Sequence, residues 1–197
     1  MFEYLEVLDR KLFLLINQNS FAVFDVLMPI YTYKFTWIPL YLILIYLLYK
    51  KQGVKAFYVL LPLIILAVGL SDTTCNMFKY GIARYRPCHN LEIASTVKLY
   101  AKIGHDKIHC GGKYGFFSAH SSTSFAIAFL FSIFYKNKKA TALIFLWATI
   151  MAYSRIYVGV HYPADVFIGA INGLLCGLVI YYIYQFLLSK HDFFTLK

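Results

Sequence analysis

Charged residues are scarce in this sequence and make up only 14% of its 197 residues. A soluble domain usually carries about 25% charged residues. Hydrophobic residues account for 60% of the chain, and the mean hydropathy is +0.63. The scarcity of charge therefore excludes an ordinary soluble domain. It predicts one polytopic membrane domain built as an all-α helical bundle.

Acidic residues are the scarcer kind, with 9 Asp and Glu against 19 Lys and Arg, for a formal charge of +10. Such an excess favours an anionic surface or an anionic ligand. The basic residues are scattered among apolar runs and do not gather on one face, so no nucleic-acid partner is expected. The expected partners are the membrane and a ligand within it.

The pattern of a cleavable signal peptide is also missing. The chain starts with acidic sequence, Met-Phe-Glu-Tyr-Leu-Glu, where a signal peptide would be basic. No small-residue cleavage site follows. We therefore expect the internal spans to insert the chain into the membrane.

Cysteines are few, and two of them, Cys88 and Cys110, bracket a polar loop. If that loop faces an oxidising compartment, the pair predicts a disulfide bond that closes the loop. Two alternatives remain open at this point. The cysteines could be free thiols, or they could bind a metal together with the adjacent His89 and His109.

Five hydrophobic runs resemble membrane spans, which need about 20 mostly apolar residues each. They cover residues 35–49, 56–82, 121–135, 140–157 and 164–188. The N-terminal part differs from them. Residues 3–18 mix charged and apolar side chains and predict an amphipathic helix in the membrane interface. Residues 21–33 are apolar but short, and they predict a half-span or a docked segment.

These runs divide the chain into three parts. Residues 1–34 form a predicted N-terminal unit, residues 35–190 a transmembrane domain, and residues 191–197 a polar tail. The transmembrane domain contains a long polar loop over residues 84–117. Loops of this length are usually functional or disordered.

Three polar clusters fall at the ends of the spans, on the side of the membrane opposite two tight basic turns. The turns cover residues 50–55 and 136–139. The positive-inside rule places such turns in the cytoplasm. We therefore expect the three clusters to face the periplasm or the exterior of a bacterial inner membrane.

The first cluster runs from Lys79 to Pro87 and contains Arg86. Lys79 and Arg86 are about two helical turns apart, so both side chains are predicted to face one way. An arginine offers a planar fork to an oxyanion, and a lysine offers a point charge. The alternative is an interfacial cluster whose long side chains reach towards water.

The second cluster contains Ser118 and His120. Ser118 is a candidate N-cap for the next helix, and the free N–H groups of a helix start favour an anion. His120 would lie in the first turn of that helix. The alternative is a run of capping serines beside an interfacial histidine.

The third cluster contains Arg155, His161, Pro163 and Asp165. Pro163 suits the first turn of a helix. The Asp165 carboxylate can reach the His161 imidazole, and such a contact prepares a histidine as a nucleophile or a base. The alternative is a capping aspartate with an incidental histidine.

Together the clusters supply cations for an oxyanion, two acid–base groups and one carboxylate. This set is sufficient for phosphoryl transfer without a metal ion. Paired carboxylates for a divalent ion do not occur in the clusters, so no metal and no other cofactor is expected.

At these residues the sequence resembles the type 2 phosphatidic acid phosphatases, a family of integral membrane lipid phosphatases in the vanadium haloperoxidase-like superfamily. The family blocks are Lys-x6-Arg-Pro, Pro-Ser-Gly-His and Ser-Arg-x5-His-x3-Asp. The first and third match fully, at Lys79 to Pro87 and Ser154 to Asp165. The second departs at two positions, with Phe117 for Pro and Ala119 for Gly. Alanine resists positive φ where glycine does not.

The resemblance implies a role for each matched residue. His161 would attack phosphorus and form a phosphohistidine, and Asp165 would hold and polarise His161. His120 would protonate the leaving oxygen and then activate water. The remaining matched residues would hold the phosphate oxygens: Lys79, Arg86, Ser118, Arg155 and the backbone N–H of Ala119.

The expected function is therefore metal-independent hydrolysis of a lipid phosphate or diphosphate at the extracytoplasmic membrane face. Isoprenoid diphosphate, phosphatidylglycerophosphate and the phosphates of lipid A are all candidate substrates. A lipid phosphotransferase would carry the same motifs. A transporter or a non-catalytic binder of anionic lipids could use the same basic pocket. The hydrophobic spans argue against a soluble haloperoxidase.

Overall fold

A computed structural model describes residues 2–19, 21–100, 110–191 and 196. Seven α-helices account for most of this part of the chain. They are α1 (Phe2–Gln18), α2 (Ala22–Thr32), α3 (Ile38–Gln52), α4 (Leu61–Ile82), α5 (Ala119–Tyr135), α6 (Lys138–Tyr157) and α7 (Pro163–Lys190). Short 3-10 turns lie at Lys34–Trp37, Pro87–His89 and Ala94–Thr96, and a π-helical turn at Ala56–Leu60 leads into α4. Pairing of β type within the described residues is limited to one isolated bridge, between Tyr85 and Tyr114.

Three of these helical segments are long and apolar enough to cross a membrane. They are Ala56–Ile82, Lys138–Tyr157 and Pro163–Lys190, of 27, 20 and 28 residues. Helices α1 and α2 could add a fourth span as a pair bent by 112°. The predicted helical membrane fold is confirmed, but the count of five spans is not. Helices α3 and α5 have only 15 and 17 residues, less than the roughly 20 that a full span needs.

Helix α5 lies at the centre of the bundle, between α4, α6 and α7. Its core side chains include Leu130 and Phe131, which are buried, and the small residues Ala126 and Ala128, which are fully buried. Small residues let neighbouring helices approach closely, which is the main source of helix association in lipid. The bundle is therefore packed most tightly around the helix that starts with the second polar cluster.

Helix α7 approaches α5 through three glycines spaced four apart, Gly169, Gly173 and Gly177. A Cβ atom added to Gly169 would lie 2.6 Å from the carbonyl oxygen of Ser118, and one added to Gly173 only 2.1 Å from that of Ser122. Residues four apart share a helix face. This glycine stripe therefore brings the backbones of α5 and α7 together.

Replacement of Gly173 by alanine should destabilise the bundle, because its methyl group would meet the Ser122 carbonyl oxygen. Forced overpacking of this kind costs about 1–3 kcal/mol. Thermal unfolding in detergent should therefore occur at a lower temperature than in the wild type. Gly69→Ala on α4 is the matched control, since a Cβ there meets nothing within 4 Å. Equal stability of the two variants would contradict the close packing.

One face of helix α1 packs against the protein, and most of its other charged and apolar side chains are exposed. Asp9, Phe13 and Asn17 follow one another at four-residue intervals, and all three are buried. Asn17 donates to the carbonyl oxygens of Lys98 and Tyr157. Most of the leucines of α1 are exposed. The buried residues therefore attach α1 to the rest of the protein, and whether α1 lies in the membrane interface stays a prediction.

Candidate active site

The first cluster is not a single helical surface. Helix α4 ends at Ile82, and Ala83 takes a left-handed conformation (φ 53°) while its N–H donates to the Lys79 carbonyl oxygen. Arg86 follows in extended backbone. The prediction that Lys79 and Arg86 share a helix face is therefore wrong, because the helix stops between them. Lys79 stays on the last turn of α4, and Arg86 comes from the chain that folds back from it.

A short antiparallel pairing holds Arg86 in place. Its N–H donates to the Lys113 carbonyl oxygen at 3.1 Å, and the Gly115 N–H donates to the Arg84 carbonyl oxygen at 2.9 Å. A Cβ atom on Gly115 would lie 3.0 Å from Cγ of Arg86 and 3.3 Å from Oδ2 of Asp165. Glycine at position 115 therefore allows the loop to pass directly over two candidate site residues.

Cys88 and Cys110 close the base of this loop. The structure joins them as a disulfide, with Cα atoms 6.3 Å apart, inside the usual range for a bridged pair. The alternative metal site has three ligand atoms here, from Cys88, His89 and Cys110, within 4.8 Å of one another. Structural zinc sites have four protein ligands. His109, the fourth ligand that the sequence suggests, lies outside the described residues.

The disulfide predicts a specific cross-linked peptide. Non-reducing digestion followed by mass spectrometry should yield Cys88 and Cys110 in one species that disappears after reduction. Cys88→Ser should free Cys110 for alkylation. Free thiols at both positions in protein purified from the membrane would contradict the bond and favour the open alternatives.

Helix α5 starts beside the third cluster. Ser118 is its N-cap, as predicted, and accepts a hydrogen bond from the Ser121 N–H through its side chain. The Ser118 N–H donates to the carbonyl oxygen of Asp165 at 2.9 Å. Ala119 is the first helical residue, and it is not among the described residues with positive φ. Ala119 therefore occupies the position of the family's glycine without a positive φ angle. His120 follows in the first turn of α5.

His161 lies in the connection between α6 and α7 and is only 2% exposed. Its Nε2 is 3.4 Å from Nη1 of Arg86, and its Nδ1 is 3.5 Å from Oδ2 of Asp165. Asp165 is fully buried in the first turn of α7, which begins at Pro163 as predicted. The structure therefore places the imidazole between a carboxylate and a guanidinium, each a short movement from hydrogen-bond contact.

Arg155 reaches the site from the end of α6. Its Nη1 donates to the hydroxyl of Thr32, at the end of α2. Six buried side-chain nitrogen and oxygen atoms lack a hydrogen-bond partner in the described part of the chain, and three of them are Nε of Arg86, Nε of Arg155 and Nδ1 of His161. A buried polar group without a partner costs about 1–3 kcal/mol. Their concentration here is typical of a site that receives a polar ligand.

The cations also act on His161 electrostatically. Burial, followed by the positive charges of Arg86, Arg155 and Lys79, holds the pKa of the His161 imidazole well below its usual value. The imidazole is therefore neutral at neutral pH and keeps a lone pair for attack. These charges come from the first and third clusters. The same three cations, Arg155 first among them, and His161 also lower the pKa of His120, so the electrostatic effect connects all three clusters.

This lowered pKa predicts the acidic side of the pH profile. An ordinary histidine protonates near pH 6.5, and a protonated imidazole cannot attack. Because the pKa of His161 is lowered, the acidic limb of kcat/KM should lie below pH 6.5. The charge of Arg155, followed by burial, also lowers the pKa of His120, so loss of the proton from this proposed general acid should set the alkaline limb. kcat/KM reports the free enzyme. We would measure kcat/KM between about pH 4.5 and pH 8, a range on both sides of the usual histidine pKa. An acidic limb of kcat/KM that starts above pH 6.5 would contradict a neutral His161 surrounded by cations.

Three polar contacts of the site were missed from sequence. Arg84 donates to both Asp9 and Asp165, and Thr32 holds Arg155. Arg84 lies inside the first motif block and could have been noticed there. Asp9 and Thr32 belong to the N-terminal unit, and nothing in their local sequence indicates a distant partner.

The sequence pattern of the PAP2 superfamily matches residues 58–189. This range contains all three clusters.

The chain belongs to the PAP2 superfamily.

Two relatives in the PAP2 superfamily match almost the whole chain. A lipid A 4'-phosphatase of Porphyromonas gingivalis is 30% identical over 190 residues, which cover 95% of this chain and 78% of the relative. A lipid A 4'-phosphatase of Bacteroides thetaiotaomicron is 32% identical over 184 residues, with 93% and 80% covered. These matches include the N-terminal unit that precedes the PAP2 match.

Two solved structures have the same overall fold. LpxE of Aquifex aeolicus superposes with a TM-score of 0.70 at 29% identity, covering 89% of this chain and 95% of that one. A transmembrane PAP2 type phosphatidylglycerolphosphate phosphatase of Bacillus subtilis gives a TM-score of 0.68 at 18% identity, with 92% and 87% covered. The fold and the apolar helices make this chain an integral membrane protein of the PAP2 superfamily.

Proposed function

We propose that this protein is a metal-independent lipid phosphatase that works through a phosphohistidine at His161. The observation that carries the proposal is the place of His161, buried between the Asp165 carboxylate and the Arg86 guanidinium. A histidine whose second ring nitrogen faces a carboxylate is oriented for nucleophilic attack. The named lipid phosphatases among its relatives support the same reaction class.

In the proposed mechanism Nδ1–H of His161 faces Asp165, and the lone pair of Nε2 attacks phosphorus. This tautomer is inferred from the partners of the two nitrogens. The N–P bond forms while the bond from phosphorus to the lipid oxygen breaks, and His120 donates a proton to that oxygen. His120 then removes a proton from water, the water oxygen attacks phosphorus, and the N–P bond breaks. The products are the dephosphorylated lipid and inorganic phosphate.

The phosphate cradle would consist of Lys79, Arg86 and Arg155, with Ser118 and the Ala119 N–H at the start of α5. Phosphoryl transfer depends mainly on positioning and on stabilising the charge of the transferring group. The unpartnered Nε atoms of Arg86 and Arg155 are suited to that charge. No step needs a divalent ion.

For the substrate we propose a phosphate of lipid A as the first choice. The support is that the two relatives with 30% and 32% identity over more than nine-tenths of the chain are lipid A 4'-phosphatases. Isoprenoid diphosphate and phosphatidylglycerophosphate remain as competing substrates. A putative undecaprenyl-diphosphatase of Escherichia coli matches 39% of the chain at 32% identity. We also propose that the site faces the periplasm or exterior from the inner membrane, where the basic turns would stay in the cytoplasm.

The test is phosphate release from a lipid panel in detergent containing EDTA. Lipid A, an isoprenyl diphosphate and phosphatidylglycerophosphate should be compared at equal mole fraction, and lipid A should react fastest. Addition of a lipid alcohol distinguishes phosphotransfer, since a transferase would form a new phospholipid. Binding without phosphate release from any lipid would favour the transporter or binder. A requirement for Mg²⁺ would overturn the proposed mechanism.

A further inference from the structure

The guanidinium of Arg84 connects two carboxylates from opposite ends of the chain. Its Nη1 donates to Oδ1 of Asp165 at 2.8 Å, and its Nη2 donates to Oδ2 of Asp9 at 2.7 Å. The Arg84 side chain is 17% exposed, Asp9 9% and Asp165 0%. The guanidinium also lies 4.2 Å from the centre of the Tyr162 ring. Arg84 is therefore fixed from three sides.

This arrangement divides the two oxygens of Asp165 between different tasks. Oδ1 accepts from Arg84, while Oδ2 accepts from the Tyr162 N–H at 3.0 Å and faces Nδ1 of His161. With Oδ1 held, the carboxylate cannot rotate away from the imidazole. The charge of Arg84 also compensates a carboxylate that is fully removed from water, where an unpaired anion would be very costly.

Asp9 supports Arg84 from behind. Its Oδ2 accepts from Arg84, and its Oδ1 accepts from the Ala164 N–H at 2.9 Å, at the start of α7. Asp9 belongs to α1, which lies outside the matched PAP2 range of residues 58–189. Helix α1 thus contacts both the cation beside Asp165 and the first turn of the helix that carries it.

Arg84 differs from the arginines assigned to the phosphate. Both of its terminal nitrogens donate to carboxylates, whereas Nε of Arg86 and of Arg155 have no partner. Burial alone would lower the pKa of Arg84, but Asp165 and Asp9 outweigh burial and raise it. A guanidinium whose two terminal nitrogens already donate to carboxylates has fewer N–H groups available for a phosphate. Its position suits support of the nucleophile rather than contact with the substrate.

We propose that Arg84, braced by Asp9 of α1, is a positioning residue that holds the Asp165 carboxylate aimed at His161. The N-terminal helix thereby becomes a working part of the active site. This inference rests on the proposed phosphohistidine function. The charged and titratable groups around Asp165 in the described part of the chain are Arg84 and Arg86 after α4, Asp9 on α1, His161 and Tyr162.

The experiment compares Arg84→Lys, Arg84→Met and Asp9→Asn with the wild type in purified, folded form. Each should lower kcat by about 10- to 100-fold, the effect of a small misplacement of a reacting group, with little change in KM. Arg84→Met should also move the acidic limb of kcat/KM upwards by roughly one pH unit, because removal of the neighbouring cation favours protonation of the His161–Asp165 pair. Arg84→Lys keeps the charge and should restore the limb, but not the full kcat. Competitive inhibition by inorganic phosphate should not change.

Arg10→Met is the matched control. Arg10 also joins α1 to the loop, through an ion pair with Glu92, but it does not contact Asp165. Its removal should leave kcat and the pH profile as in the wild type. The control therefore distinguishes an effect on the orientation of Asp165 from a general loss of contact between α1 and the loop.

Each other outcome decides against one specific claim. If wild type is active but the Arg84 and Asp9 variants keep its kcat and its acidic limb, the positioning role is wrong while the proposed function stands. Loss of inhibition by inorganic phosphate in Arg84→Lys would make Arg84 a phosphate ligand and overturn the inference. An equal loss of kcat in Arg10→Met would mean that Arg84 and Asp9 only dock α1 onto the protein, which would overturn the positioning role. An inactive wild type overturns the proposed function, and the inference falls with it.

Discussion

Replacement of His161 by alanine should lower phosphate release by about 10⁴-fold or more, as removal of a covalent nucleophile does in other enzymes. The imidazole lies between Asp165 and Arg86, and alanine at this position carries no nucleophile. Phosphate release should be followed with lipid A and with a soluble aryl phosphate. Both activities should be lost together, because the same nucleophile attacks phosphorus in both substrates.

His89→Ala is the control for this experiment. His89 is an exposed histidine of the same loop region, outside the three clusters. It should keep wild-type activity, and both variants should show the same thermal unfolding. Residual turnover above about 1% in His161→Ala would mean that another group attacks phosphorus, since a loss below 10²-fold is too small for a nucleophile.

Replacement of His120 by alanine should have an effect that depends on the leaving group. With a lipid phosphate, loss of the general acid should slow the reaction by about 10²–10⁴-fold. An aryl phosphate has a leaving group that needs no proton, so attack by His161 should continue. The second step still needs a base for water. The phosphoenzyme should therefore accumulate, although steady-state turnover is slow.

This accumulation can be measured directly. Acid-labile, alkali-stable phosphate bound to the protein after a rapid quench is the signature of phosphohistidine. It should approach one phosphate for each His120→Ala protein, and it should be absent from His161→Ala. A burst of aryl alcohol equal to the enzyme concentration should accompany it. Equal slowing of lipid and aryl substrates without bound phosphate would assign His120 a role other than acid and base.

The sequence predicted those parts of the fold and site that depend on local rules. Ser118 caps α5 and Pro163 starts α7, because helix starts have strong side-chain preferences. For Cys88 and Cys110 the sequence indicated a common loop but left a disulfide, free thiols and a metal site open. The family blocks then suggested roles for these neighbourhoods, and those roles stay predictions that the variants above test.

Other features depend on contacts between distant segments and could not be predicted. The predicted end of the span at residue 82 is confirmed, but the turn that follows it is one such feature, because the left-handed Ala83 leaves no mark on hydrophobic periodicity. The use of Asp9 is another. An acidic residue on a mixed helix normally faces water, and only the folded chain shows that it faces Arg84. The count of five spans stays a prediction for a similar reason, since length alone does not say whether a short apolar helix crosses the membrane.

The glycine stripe of α7 has a consequence for how the active site can vary. Gly169 and Gly173 lie against the Ser118 and Ser122 carbonyl oxygens on successive turns of α5, so the two helices pack at a fixed register. A slip would have to move α7 by a whole turn, about 5.4 Å. Such a slip would carry Asp165 away from its hydrogen bond with the Ser118 N–H. The close packing therefore opposes small sliding of α7 along α5. The start of α5 and the start of α7 either form the site together or are separated.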